Sequence, residues 1–296
     1  MLRSLRRRAT SDGLPVYLVG GPVRDAILGA AVKDLDFVLL GDAPALAEEL
    51  AEELAKDFDT GVTLHPRFGT ATVEIGGDRV DVVTARKEVY PHPGSLPEVS
   101  AGSLDDDLAR RDFSINAMAL PLSADSPQII DPHGGIRDLE SRLVRTLHPG
   151  SFADDPTRML RAVRYQQRLG FQIADSTLSE LKETLGRGHA AAVTGDRWRQ
   201  ELQKIFDEDR AAEMLIRAIE TEVLPSVHPA LSDGHGLARL ITESNLMLPD
   251  IGPMDYLAAL VVHLSAADGE AVNRRLNLPA AWARVVRDTI ALRELV

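Results

Sequence analysis

The hydrophobic period of this chain changes once, and that change limits the folds open to it. From Val16 to about Thr84 short apolar runs alternate with helical patterns. The runs VYLV, LDFVLL, VTLH, TATVEI and RVDVVT carry the strand signal, with PVRDAILG and APALAEELAEELAKDF as helices between them. Beyond about His148 the strand signals stop. TRMLRAVRYQQRLG, STLSELKETLG, RWRQELQKIF, AAEMLIRAIETEVL, MDYLAALVVHLS and AAWARVVRDTIALREL instead repeat apolar residues at spacings of three and four. This pattern predicts an α+β chain: a mixed β-sheet with helices over 1–147, then an all-helical region over 148–296. Phe113 to Leu120 alternates again and predicts one more strand, whereas PHPGSLPEVSAGSLDDD at 91–107, with three prolines, predicts a mobile loop.

Composition excludes several chemistries. Cysteine is absent and the histidines show no metal-type pairing, so any metal must sit on carboxylates. No apolar run is long enough to span a bilayer, and the basic MLRSLRRRAT lacks the apolar stretch of a secretory signal, which predicts a cytoplasmic protein without a membrane partner. A net charge of −12 argues against a protein that coats nucleic acid non-specifically. It leaves room for local basic surfaces at Arg110-Arg111, Arg158 to Arg168 and Arg197-Arg199, which read equally as solvated faces.

Two segments carry chemistry. In KDLDFVLL, Asp34 and Asp36 stand two apart at the start of a strand, so both carboxylates project from one face. Such a pair repels unless a cation such as Mg²⁺ lies between, although surface acids at a strand edge give the same pattern. In YLVGGPVRDAILG a strand, a Gly-Gly turn and a short helix follow one another. Gly20 and Gly21 would let backbone N–H groups approach a phosphate, with Arg24 in the first helical turn; a plain turn is the alternative.

Together LVGGPVRDAILG and KDLDF resemble the signature of the nucleotidyltransferase branch that includes class II tRNA CCA-adding enzymes and bacterial poly(A) polymerases. ARRDFSINAMAL at 109–120 is similar to the family's ribose-recognition motif, DPHGGIRDLESRLVRTL at 131–147 to its interdomain motif, and SFADDPTRMLRAVRYQQRLGF at 151–171 to its base-recognition motif. DRWRQEL at 196–202 is a weaker fifth match. The resemblance covers roughly residues 16 to 207 and does not extend into 230–296.

The resemblance implies a nucleotidyltransferase-type head sheet and a helical neck and body. It implies catalytic, Mg²⁺-binding Asp34 and Asp36, a triphosphate on Gly20, Gly21 and Arg24, and ribose contacts from Arg111, Asp112 and Asn116. Asp155 and Arg158 would form the amino-acid template for CTP and ATP, with Asp154 where many members have Glu. Asp155 before Pro156 is also a favourable helix N-cap. Asp81 interrupts an apolar strand and reads equally as a third carboxylate or an edge residue. Arg158, Arg161, Arg164 and Arg168 fall within an arc of roughly 120° at about 100° per residue, lining one side of a helix that would face nucleotide or RNA backbone. Arg197, Arg199 and Glu201 read more readily as salt-bridged helix packing.

The implied activity is addition of C and/or A from CTP or ATP to a tRNA 3′ end. Poly(A) polymerase is the neighbouring alternative, and a non-catalytic nucleotide- or RNA-binding module is the alternative of another class. A full-length flexible loop over 86–107 would accompany A addition and speaks against a purely CC-adding enzyme.

Overall fold

The computed structural model describes residues 2–32, 35–65, 69–123, 127–244, 251–293 and 295. The chain forms two compact units, one of Met1–Pro91 and Leu96–Leu147, the other of His92–Ser95 and His148–Val296.

The first unit contains α1 (Leu2–Ser11), β1 (Val16–Val19), α2 (Gly21–Ile27), β2 (Leu35–Leu39), α3 (Ala43–Leu54), β3 (Thr60–His65), β4 (Thr70–Ile75) and β5 (Asp78–Thr84). It continues with β6 (Arg86–Val89), β7 (Glu98–Ala101), α4 (Leu104–Ala109), β8 (Ala119–Pro121) and α5 (Gly135–Glu140). Six strands form one mixed sheet in the order β3-β4-β5-β2-β1-β8, in which β2 and β5 run parallel and the other neighbours antiparallel. Side chains alternate across a strand, so each strand sends one set of residues to each face. Phe37, Leu39, Val80 and Val82 pack with Leu5 and Ala9 of α1 and with Leu46 and Leu50 of α3. Asp36, next to Phe37, and Asp81, between Val80 and Val82, must therefore face the other side of the sheet, where Val19, Val38 and Ala119 pack with Leu108 of α4. The basic N-terminus is a docked helix: Arg8 binds Glu49 and Glu53 of α3, and Arg7 binds Glu53.

Two sequence expectations are corrected in this unit. The segment at 91–107 is not a free loop. β6 and β7 pair as an antiparallel hairpin, and α4 follows at once, its first turn closed by a reciprocal capping box between Ser103 and Asp106. The prolines misled because they lie at the hairpin end, between RKEV and EVSA, where they break the alternation without removing the strands. The strand expected at Phe113–Leu120 is limited to β8. Before it the chain makes a short 3-10 turn over Ser114–Asn116, because the Asp112 carboxylate accepts both the Phe113 N–H and the Asn116 amide.

The second unit contains α6 (Ser151–Asp154), α7 (Arg158–Leu169), α8 (Asp175–Gly186), α9 (Gly195–Phe206), α10 (Ala211–Glu220), α11 (Val223–Val227), α12 (His235–Ser244), α13 (Pro253–Val261), α14 (Ala266–Arg275) and α15 (Ala280–Arg293). A two-residue strand at Gln172–Ile173 is its one departure from helix and turn among the described elements. Helix α7 packs on α9 and α10, and α13 on α9 and α15. Trp198 and Leu202 of α9 and Met159 and Leu160 of α7 are fully or almost fully buried. The start of α9 is pressed so closely against the end of α14 that a Cβ at Gly195 would lie 2.1 Å from the Arg275 carbonyl oxygen.

Candidate active site

Within the first unit, the carboxylates come together through strand register. β2 and β5 pair so that Asp36 lies opposite Asp81, and β4 and β5 pair so that Thr72 lies opposite Asp81. In paired strands, opposite residues share a face, which sets Thr72, Asp81 and Asp36 in one row across β4, β5 and β2. The β1–β2 register, Val16 opposite Leu39 through Leu18 opposite Phe37, continues to Val19 beside Asp36. The Gly20-Gly21 turn thus begins where the carboxylate row ends. Asp81 accepts a hydrogen bond from Thr72 Oγ1 at 2.6 Å and lies 3.6 Å from Arg79 Nε. Asp34 lies outside the described residues, and among those residues no group of three or more His, Asp or Glu is placed to hold a metal ion.

The turn is built for close approach. Gly20 has φ 73° and ψ −130°, a region that only glycine occupies readily, and a Cβ there would lie 2.6 Å from Arg111 Nη1. Gly20→Ala is expected to cost about 1–3 kcal/mol in backbone strain and to push the Arg111 guanidinium away from the turn. A thermal melt together with the KM for nucleotide will show both effects; an alanine variant unchanged in both would mean that the turn tolerates a side chain.

Arg24 stands in the helix that follows the turn, its Nη2 3.6 Å from where a Cβ would lie at Gly21. It is 3% exposed, donating from Nη1 to Asn116 Oδ1 at 2.7 Å and from Nε and Nη2 to Asp25 at 2.8 and 3.0 Å. A guanidinium buried this way is held by carboxylate and amide acceptors, and through Nη1 Arg24 orients Asn116. Asn116 Nδ2 in turn donates to Asp112 Oδ1 at 3.0 Å. Asp25, Arg24, Asn116 and Asp112, drawn from two distant segments, form one hydrogen-bonded chain.

Arg111 is a second cation at the turn. Its Nη1 donates to the Asn116 carbonyl at 3.4 Å and its Nη2 to Asp107 Oδ2 at 2.9 Å, while its Nε is buried without a protein acceptor. Asp107, fully buried, also receives Arg110 on Oδ1 at 2.6 Å. Burial pushes the Asp107 carboxyl upward in pKa, but Arg110 and Arg111 outweigh it and hold the group below the usual carboxylate range.

The motif at 131–147 supports the 3-10 turn at Ser114–Asn116. Asp131 accepts the Gly135 and Ile136 N–H groups at 2.6 and 2.9 Å, and the buried Asp138 takes the Ser114 hydroxyl at 2.6 Å and Arg145 Nε at 3.0 Å. A Cβ at Gly135 would lie 2.4 Å from the Ser114 carbonyl oxygen. Sequence reasoning passed over Asp25, Asp107, Asp131, Asp138 and Thr72. An Asp four residues before a glycine that opens a helix was the available signal for Asp131, and Arg110-Arg111 three and four residues on was the signal for Asp107; Asp138 and Thr72 become visible only through pairing with residues farther along the chain.

In the second unit, α7 begins at Arg158 with Thr157 in the cap position, so Asp155 is not the N-cap. Its Oδ1 instead accepts the Thr157 N–H at 2.9 Å and hydroxyl at 2.6 Å, closing the Pro156-Thr157 turn, and pairs with Arg197 Nη2 at 2.8 Å. Arg158 is buried and donates to Ser151 Oγ at 2.7 Å. The neighbouring Asp154 carboxyl is pushed up in pKa by burial, which exceeds the opposing effect of His148 and Arg158. The arginine stripe on α7 is met by acids and by an aromatic ring. Arg164 and Arg168 pair with Glu208 at 3.2 Å each, Arg161 lies 3.6 Å from Glu201, and the Tyr165 ring lies beneath Arg161 and Arg164. Like charges on one helix face repel unless countered, and here Glu201 and Glu208 counter them. Arg197 also donates to the Gly94 carbonyl, and Arg199 pairs with Asp196.

Residues 16–145 match the family described as Poly A polymerase head domain, and residues 170–234 the one described as Probable RNA and SrmB- binding site of polymerase A. An A-adding tRNA nucleotidyltransferase of Aquifex aeolicus (strain VF5) is 44% identical over 205 residues, 68% of this chain and 24% of that protein. A CC-adding tRNA nucleotidyltransferase of Deinococcus radiodurans is 38% identical over 295 residues, 97% of this chain and 74% of that protein. A crystal structure of a tRNA nucleotidyltransferase complexed with a primer tRNA and an incoming ATP analog matches at TM-score 0.79 and 33% identity, over 100% of this chain and 84% of that one. The chain thus spans about a quarter of the length of the A-adding relatives from Aquifex and Geobacter. Likeness does continue through 230–296, against the sequence reading, since the Deinococcus match runs over nearly the whole chain. The α+β fold is that of the CCA-adding enzymes, and with identity of this order along a relative's length the chain belongs to the tRNA nucleotidyltransferase and poly(A) polymerase family.

Proposed function

We propose that this chain adds C and/or A, taken from CTP or ATP, to the 3′ end of tRNA with release of pyrophosphate. The observation that carries this reading is the register that sets Asp36 beside Asp81 at the Gly20-Gly21 turn. In this reaction the primer O3′ attacks the α-phosphorus, a new phosphodiester bond forms, and the bond from the α-phosphorus to the bridging oxygen breaks to free pyrophosphate. Two carboxylates side by side are an oxygen-only donor set suited to Mg²⁺, so Asp36 and Asp81, joined by Asp34, would hold the ion. A divalent cation there supplies charge neutralisation on the phosphates and a more acidic primer hydroxyl. The remaining work falls to the chain itself. The Gly20 turn lets backbone approach the triphosphate, and Arg111, whose Nε lacks a protein acceptor, supplies positive charge beside it. Asp112, oriented by Asn116 and Arg24, accepts from a ribose hydroxyl. Base recognition belongs to Asp155 and Arg158, with the Asp155 carboxylate held by Thr157 and Arg197.

Restriction to C has support of its own. The CC-adding relative matches over nearly the whole chain, and the segment read as the flexible loop of an A-adding enzyme contains a paired hairpin and a capped helix. The decisive experiment supplies tRNA transcripts ending before CCA, after C74 or after C75 with Mg²⁺ and labelled CTP or ATP, separately and together. Products stopping at CC, at A on the CC end, or at complete CCA assign the reaction within the proposal. Long A tails on any RNA would replace it with poly(A) polymerase, and no incorporation at all with a non-catalytic nucleotide- or RNA-binding protein.

A further inference from the structure

We propose that Thr72 is a positioning residue for the carboxylate pair, its hydroxyl fixing the orientation in which Asp81 meets a divalent cation. The inference rests on the reading of Asp36 and Asp81 as the cation's ligands. Its basis is the row in which Thr72, Asp81 and Asp36 occupy opposed positions on three adjacent strands. The β4 neighbours Ala71 and Val73 pack into the core with Ala47 and Ala51 of α3, so alternation turns Thr72 to the carboxylate face. There it is 7% exposed, and a hydroxyl so buried is costly without a partner.

That partner is Asp81 Oδ1, at 2.6 Å. A threonine hydroxyl has one proton to donate, so giving it to Oδ1 fixes which carboxylate oxygen is occupied. Arg79 reinforces the choice: its Nε lies 3.6 Å from the same oxygen, and its Nη2 reaches Thr72 Oγ1 at 3.5 Å. Thr72 and Arg79 both meet Asp81 at Oδ1, so Oδ2 is the oxygen that would be left to a cation. Arg79 is largely exposed and therefore a weakly held contributor. The buried hydroxyl is the constant one. Partners of metal-ligating carboxylates act in this way, and their loss weakens metal binding without touching a ligand.

The test uses the purified full chain, with Mn²⁺ as the probe, read by electron paramagnetic resonance, alongside incorporation of CTP and ATP. Thr72→Val keeps shape and removes the hydroxyl, whereas Thr72→Ser keeps the hydroxyl. Valine is expected to weaken Mn²⁺ binding about 10–100-fold while serine stays within about twofold of the parent. Incorporation by Thr72→Val should recover as Mg²⁺ is raised. Melting curves establish that each variant is folded, and Thr72→Ala replaces valine if valine disturbs the sheet. Parental Mn²⁺ affinity in a folded variant without the hydroxyl overturns the inference, as does a serine variant weakened as much as valine, which would mean that packing and not the hydroxyl matters. A parent chain that binds Mn²⁺ but incorporates neither CTP nor ATP overturns the proposed function and leaves the Thr72 comparison standing on binding alone.

Discussion

Asp36→Asn lowers nucleotide incorporation by about a thousandfold or more while leaving the chain folded. The activity loss follows from the place of Asp36 at the centre of the reacting charge, where a single preorganised electrostatic group is worth roughly 10²–10³ in rate and a metal ligand more. Asp36 and Asp81 are opposed on adjacent strands, and like charges so placed repel, a repulsion that a bound cation relieves. The parent gains melting temperature as the ion is added, because anything that binds only the folded state stabilises it by mass action, and the variant gains less. Melting curves in EDTA and in Mg²⁺, paired with a single-turnover incorporation assay, give both numbers. Full activity in Asp36→Asn would remove this carboxylate from the metal site and with it the reading of the row.

Much of this site was legible from spacing, and the part that was not has a common physical cause. Spacing singled out Asp36 in KDLDFVLL, and Asp81 stood out by interrupting the apolar run RVDVVT, although it read equally as an edge residue. Their pairing opposite each other depends on β2 and β5 being parallel neighbours, joined through a helix and two further strands, and local periodicity carries no information about that. Spacing placed Arg24 in the first turn of a short helix, but its bond to Asn116, which is 92 residues away in sequence, was not legible there. The arginines of α7 share this limit: the acids that pair with them, Glu201 and Glu208, lie on a neighbouring segment, and an arc of like charge along a helix does not reveal them. At 91–107 the prolines outweighed two short alternating runs, although the capping pair Ser103 and Asp106 already marked the start of a helix.

Asp107→Asn is expected to carry the largest cost in stability, about 3 kcal/mol, because removing one member of a buried ion pair leaves the other uncompensated. Here one carboxylate serves two guanidinium groups, with Arg110 on one oxygen and Arg111 on the other, and only Arg110 keeps a second acid, Glu88, at 3.3 Å. For a domain of this size the loss corresponds to roughly 6–12 °C in melting temperature. It also frees Arg111 from its place at the Gly20 turn, so the KM for nucleotide rises in the variant. The pH dependence has a definite sign. Asp107 is held below the usual carboxylate range when folded, so the stability it contributes is fully present above the unfolded-state value of about 3.9 and is lost as the pH falls through the lower folded value. The gap in melting temperature between parent and variant should therefore stay constant from neutral pH down to about 5 and close only below about 4. A gap that closed near pH 6 would show that a histidine, and not Asp107, governs the acid limb, and a variant as stable as the parent would mean that the Arg111 guanidinium is held at the turn by Asn116 alone.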